Sequence, residues 1–156
     1  MKIYQFFTYL ALFGTAVLAG PHFQSEPTRK IDDSGALVVT FDEAGLGNTV
    51  PSIDYTLSAD VSALFGCFNK GGNHPQASNK ETVSTTITTL DTFPVKNGRV
   101  RDSISSGPPS SGTFSCPRGQ TLRLAEVSYT EIVLTDTTND ITAPVPDVSR
   151  VFIPGV

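Results

Sequence analysis

From residue 53 to residue 67 every odd position is apolar or small: Ile53, Tyr55, Leu57, Ala59, Val61, Ala63, Phe65 and Cys67. The even positions open with Asp54, Thr56, Ser58, Asp60 and Ser62. Successive side chains of a strand point to opposite faces, so a period of two held this long marks a half-buried strand or a continuous hairpin pair. Its apolar face must be covered by other parts of the chain.

The flanking sequence supplies further strands. Leu37, Val39 and Phe41 alternate and predict a first strand at 36–41, ended by Asp42-Glu43-Ala44-Gly45-Leu46-Gly47-Asn48. Glu81–Leu90 is rich in threonine and β-branched residues, which favour strand. Phe93 and Val95, then Asn97-Gly98, then Val100 and Ile104 give the strongest hairpin signal in the chain. Ser105–Gly112 reads as a loop, and Phe114 and Cys116 as the return to a strand at 113–116. In Thr121–Thr135 the apolar phase slips: Leu122 and Leu124 share one parity, Val127 and Tyr129 the other, Ile132 and Leu134 the first again. Such slips predict bulges, or a strand buried on both faces. Asp136–Asp140 reads as a turn and Val148–Ile153 as a last strand.

No segment keeps a period of 3.6. The pattern predicts an all-β chain, an immunoglobulin-like antiparallel β-sandwich of seven or eight strands, with a closed Greek-key barrel as the alternative. The buried tryptophan of immunoglobulin domains is missing, since the chain has none.

The first nineteen residues stand apart. Lys2 precedes a nearly uncharged apolar run from Ile3 to Val17, and Val17-Leu18-Ala19 places small residues before a cleavage point. Residues 1–19 therefore read as a secretory signal peptide, 20–34 as a loose N-terminal extension carrying Arg29-Lys30, and 35–156 as one domain. Cys67 and Cys116 are the only cysteines, and in an exported chain they are expected to pair. Closing that loop restricts the unfolded chain by roughly 4 kcal/mol in the entropy model. No CxxC spacing supports a metal.

The chain holds 11 basic and 15 acidic residues. Removing residues 1–19 takes away only Lys2, which leaves the remainder more acidic still. Nucleic acid, which needs clustered Lys and Arg, is not an expected ligand; Arg99 and Arg101 are the nearest approach to a cluster. No second apolar run predicts a membrane span, and there is no Asn-x-Ser/Thr sequon.

Catalytic signals are sparse. The two histidines are His22, in the extension, and His74, in a Gly/Asn/Pro loop. Neither stands beside a GxSxG or HExxH motif, so no catalytic residue is assigned and no enzyme is expected. Asp42 with Glu43, and Asp136 with Asn139 and Asp140, could offer oxygens to a weak Ca²⁺ site. Asp and Asn in turns need no ion, so no metal and no cofactor are expected. The densest polar stretch is the loop after the long strand, and loops on a rigid β scaffold are where binding tends to sit. The candidate binding residues are Asn69, Lys70, Gly71, Gly72, Asn73, His74, Pro75, Asn79 and Lys80.

Several motifs resemble a group of small secreted β-rich proteins of actinomycetes and filamentous fungi. They are Phe41-x-Glu43-x-Gly45-Leu46-Gly47, Cys67-x-Asn69-x-Gly71-Gly72-x-His74-Pro75-x-Ala77-x-Asn79-Lys80, and Cys116-Pro117-x-Gly119-Gln120. The resemblance implies export, a disulfide and a small β domain, and it carries no activity or catalytic residue. The expected function is that of a small secreted, monomeric, non-enzymatic interaction protein. It would be a fungal-type effector or virulence-associated protein engaging an extracellular host protein. The alternative is a cell-wall-associated or carbohydrate-binding module of the producing organism.

Overall fold

The alternating stretch forms one strand, Ser52–Asn69, in a computed structural model that describes residues 20–71 and 79–156. Nine strands occur among the described residues: β1 His22–Phe23, β2 Thr28–Ile31, β3 Leu37–Ala44, β4 Ser52–Asn69, β5 Lys80–Pro94, β6 Arg99–Ser106, β7 Gln120–Asp136, β8 Ile141–Val145 and β9 Val148–Val151. They form two antiparallel sheets packed as a sandwich, and no barrel closes. The long sheet runs β5-β4-β7, with β8 and β9 sharing the far edge of β7. In the short sheet β3 is central, with β6 on one side and β1 and β2 on the other.

The odd residues of β4 from Ile53 to Cys67 are all buried and form the floor of the core. Leu37, Val39 and Phe41 of β3 and Val100 and Ile104 of β6 form its roof. The aromatic rings gather at one end, where Phe41 packs on Tyr55 at 4.5 Å and on Phe93 at 5.6 Å between centroids.

The sheets differ greatly in length. β4 has 18 residues and spans roughly 60 Å at the usual rise per residue. β3 has 8. Glu43 near the end of β3 meets Tyr55, while Gly35 just before its start accepts a 2.7 Å hydrogen bond from the Tyr129 hydroxyl. Tyr129 lies opposite Val61, so the short sheet runs out near Val61 and β4 continues for eight further residues. That overhang is covered by the β6–β7 connection, whose Pro109 is buried, whose Phe114 packs on the core, and whose Cys116 is bonded to Cys67.

The structure departs from the sequence reading at four places. Residues 20–34 are not a loose extension: β1 and β2 pair with β3, and Ile31 and Pro27 are buried. β3 does not stop at Phe41, because Asp42–Ala44 continue its ladder opposite Arg99–Arg101. The Asn97-Gly98 turn is present, with φ of 54° and 70° and a Lys96–Arg99 bridge. Its arms do not stay paired, however: β5 belongs to the long sheet and β6 crosses to the open edge of β3. Cys116 lies in a loop and not in a strand at 113–116, so the disulfide ties a loop to a strand and does not join two sheets.

The phase slips in β7 are bulges. The ladder with β4 shifts register between Leu64 and Phe65, where Ala125 is the extra residue, and again between Ser58 and Asp60. At the second shift Glu131 takes a positive φ of 49°. Each bulge moves the inward positions to the other parity, so Ala125, Val127 and Tyr129 are buried first and Ile132, Leu134 and Asp136 after them.

Candidate functional site

Of the predicted loop residues, Asn69 ends β4, Lys70 and Gly71 follow it, and Asn79 leads into Lys80, the first residue of β5. Asn69, Lys70 and Gly71 are exposed. Gly72, Asn73, His74 and Pro75 lie outside the described residues. The loop is thus carried at the tip of the β4–β5 hairpin, on the overhang, with the Cys67 bridge two residues before Asn69.

A cationic pair that the sequence does not place together occurs at this tip. Gly66 of β4 is flanked in the ladders by Lys80 of β5 on one side and Arg123 of β7 on the other. Even positions of β4 face away from the core, so the two side chains leave the same outer face, with no side chain between them. The Arg123 guanidinium sits over the Phe68 ring at 5.9 Å, a cation–π contact. Lys70 follows the last residue of β4 and is exposed at the same end of the hairpin. Lys80 and Arg123 make no salt bridge among the described residues, and none of residues 72–78 is acidic. Sequence reasoning named Lys70 and Lys80 but missed Arg123, because its face depends on the bulge at Ala125.

Arg99 and Arg101 stand differently. Both grip Asp42 on the outer face of the short sheet, Arg101 at 2.7 and 2.9 Å and Arg99 through two further hydrogen bonds. Arg99, with Arg101 behind it, holds the Asp42 carboxyl down at about 2. Both arginines share this one carboxylate, so each has an acidic partner while the cluster keeps one net positive charge.

At the opposite end from the loop, a polar group unforeseen in the sequence lies inside the sandwich. Glu43 follows Leu37, Val39 and Phe41 in the inward register of β3, and both it and Asp136 have 0% exposure. The Tyr55 hydroxyl donates to Glu43 Oε2 at 2.8 Å, and Glu43 Oε1 has no partner. Burial raises the Glu43 carboxyl to about 7, against the Tyr55 hydrogen bond and with help from the Asp136 charge. Burial and the adjacent Glu43 push the Tyr55 phenol up as well. The signal for Glu43 was present: continuing the alternation of β3 by two residues points it inward.

Asp136, the candidate oxygen ligand of the 136–140 turn, is occupied by that turn. Its Oδ1 accepts the Thr138 and Asn139 amides at 2.8 and 2.9 Å, and its Oδ2 accepts Asn139 Nδ2 at 2.6 Å. Asp140 is exposed at a positive φ of 59°. This geometry is an Asx turn that closes the β7–β8 hairpin. Two carboxyls with no exposure cannot touch a substrate, so the Glu43–Tyr55–Asp136 group shapes the core and its pH response.

No helix among the described residues is long and apolar enough to cross a membrane. The disulfide, with its Cys67 half buried, is consistent with an extracellular protein. Searches of protein-family models, curated proteins and solved structures find no match to the chain.

Proposed function

We propose that the chain is a secreted, non-enzymatic binding protein that engages an extracellular protein partner with the disulfide-braced tip of its long sheet. The observation that carries this reading is the placement of Lys80 and Arg123 on either side of Gly66, neither of them in a salt bridge among the described residues, in a chain of net charge −4. Lys70 adds to the same tip. An acidic protein that concentrates cations on one stapled, projecting edge presents a complementary surface to an acidic partner. Asn69, Lys70, Gly71, Asn79 and Lys80 form the described rim of that surface. Its partner is a host protein in the effector reading, which a small, acidic, disulfide-bridged domain with a dense polar loop suits; the competing reading is an uncharged wall polysaccharide of the producer.

The test uses immobilised polyglutamate, chitin and β-glucan as probes, with wild type and the Lys80→Glu/Arg123→Glu double variant. The expected result is salt-sensitive retention on polyglutamate, reduced at least tenfold by the double variant. Retention on chitin or glucan that ignores the charge reversal would replace this reading with the wall-binding one.

A further inference from the structure

Three of the four sheet edges carry devices that discourage pairing with another chain. β2 has Arg29 and Lys30 among its four residues, and β6 has Arg101 and Asp102 in mid-strand. On the far side of the long sheet, β8 carries Pro144 and is separated from β9 by Pro146 and Asp147. Charges, prolines and very short strands are the usual means of blunting an edge. β5 has none of them from Thr82 to Leu90: nine consecutive residues without a charge, a proline or a glycine.

The direction of the backbone groups on β5 can be read from its hydrogen bonds. The Val95 amide, at an odd position, points to β4 and bonds the Pro51 carbonyl. The Thr92 amide instead points away and is taken by the Asp91 carboxylate at 2.8 Å. The Thr86 carbonyl likewise points away, toward the Thr85 hydroxyl at 3.4 Å. The β4–β5 ladder has no register shift, so this alternation holds along β5. Lys80, Thr82, Ser84, Thr86, Thr88 and Leu90 therefore direct their amides outward, and none of these amides has a bonded partner among the described residues. Thr92 and Pro94 close the open stretch at one end: the first amide is capped and the second is absent.

We infer that the β5 edge is a self-association surface, where a second copy of this chain adds its own β5 antiparallel and joins the two long sheets. The sequence alone favours a monomer; the edge argues otherwise because it is complementary to itself. With a two-fold axis at Thr85, Lys80 lies opposite Leu90 of the partner, Thr82 opposite Thr88, and Ser84 opposite Thr86. Every open amide then meets an open carbonyl in a hydrogen-bonded pair. On the core side of the sheet Val83 lies opposite Ile87, a β-branched pair that covers two half-buried side chains. On the outer face the Lys80 stem covers the partner's Leu90, which is 71% exposed in the single chain. No like charges face each other in this register. Moving the axis one residue to Thr86 would oppose Glu81 and Asp91, and moving it to Ser84 would leave Leu90 without the Lys80 stem opposite it.

The test is sedimentation equilibrium of the full chain over a wide concentration range, with wild type, Thr85→Glu, Thr85→Lys, and an equal mixture of the two variants. Thr85 is exposed, so both variants should keep the native far-UV spectrum and the Cys67–Cys116 bond. The wild type should approach twice the monomer mass. Each variant, with like charges facing across the axis, should weaken association at least tenfold, and the mixture should restore it. A wild type that stays monomeric throughout, variants that associate as well as wild type, or a mixture that fails to recover would each overturn the inference.

Discussion

At one end of the sandwich Glu43, Tyr55 and Asp136 meet inside the core beneath both sheets; at the other, β4 and β7 run on beyond the short sheet and are covered by a loop tied down at Cys116. The first end has its cover from regular structure: β3, β6 and the rings of Phe41 and Phe93. It can hold a carboxyl whose second oxygen is unpaired, because the surrounding ladders fix its place. The second end has no strand for a roof, and its loop of serines, glycines and prolines has little apolar surface with which to stay down. A covalent bond does there what packing does at the other end. The two ends are therefore sensitive to different conditions, one to pH and the other to reductant.

The largest expected effect lies at the braced end. Replacing both cysteines, Cys67→Ala with Cys116→Ala, frees a loop closed over a sequence separation of 49. The loss should be about 4 kcal/mol in the chain-entropy model, or on the order of 10–15 °C in Tm for a domain of this size. Thermal unfolding at fixed pH measures it. A loss smaller than that from disturbing Tyr55 would mean that the loop is held by its own packing, and the contrast between the ends would fail.

The next effect belongs to Glu43 and has a definite sign. Its carboxyl titrates near 7 in the folded chain, against 4.5 as the reference for the unfolded one. Between those values unfolding releases a proton, so stability is greatest below 4.5, falls as pH rises through the window, and levels off above 7. The full drop corresponds to roughly 3 kcal/mol. Glu43→Gln keeps an acceptor for the Tyr55 hydroxyl but cannot ionise. Urea midpoints at pH 4.5 and 8 should differ clearly for wild type and little for the variant. An unchanged pH profile in the variant would assign the titration elsewhere. Tyr55→Phe, which leaves a buried carboxyl oxygen without its donor, should cost about 1–3 kcal/mol, seen in the same midpoints.

How far these ends were legible beforehand differs for physical reasons. Period two located β4, its buried face with Tyr55, and the slips that became the bulges at Ala125 and Glu131, because inward and outward positions follow directly from the pleat. The cysteine pair was legible from its number and from the expectation of export that residues 1–19 carry. What failed was partition between sheets: a strong turn at Asn97-Gly98 fixes a reversal, but whether its arms pair depends on which open edge awaits them, here β3. The short strands β1 and β2 were hidden because four residues or fewer show no periodicity. Glu43 was hidden by its own polarity, which suggested a turn where the alternation pointed inward. Lys80 with Arg123 needed the register of three strands, including a bulge, which no local pattern supplies.

The weakest contribution comes from a surface ion pair next to the buried acid on the same strand. Asp42 is the residue before Glu43, on the opposite face, with Arg99 and Arg101 on its carboxylate. The arginine side chains are 42% and 72% exposed, so water and salt screen them and the cluster should contribute less than about 1 kcal/mol. Its sign is opposite to that of Glu43. The Asp42 carboxyl is lowered from 3.8 to about 2, so its contribution is complete above 3.8 and disappears as pH falls through 2. Asp42→Asn should therefore shift the urea midpoint slightly at pH 5 and much less at pH 2, with the pH 5 shift shrinking in 0.5 M salt. The windows of Asp42 and Glu43 do not overlap, so one pH series with both variants separates two adjacent carboxyls by face alone. If Asp42→Asn cost more than Tyr55→Phe, the outer arginine clamp and not the buried group would be what organises that end of the sandwich.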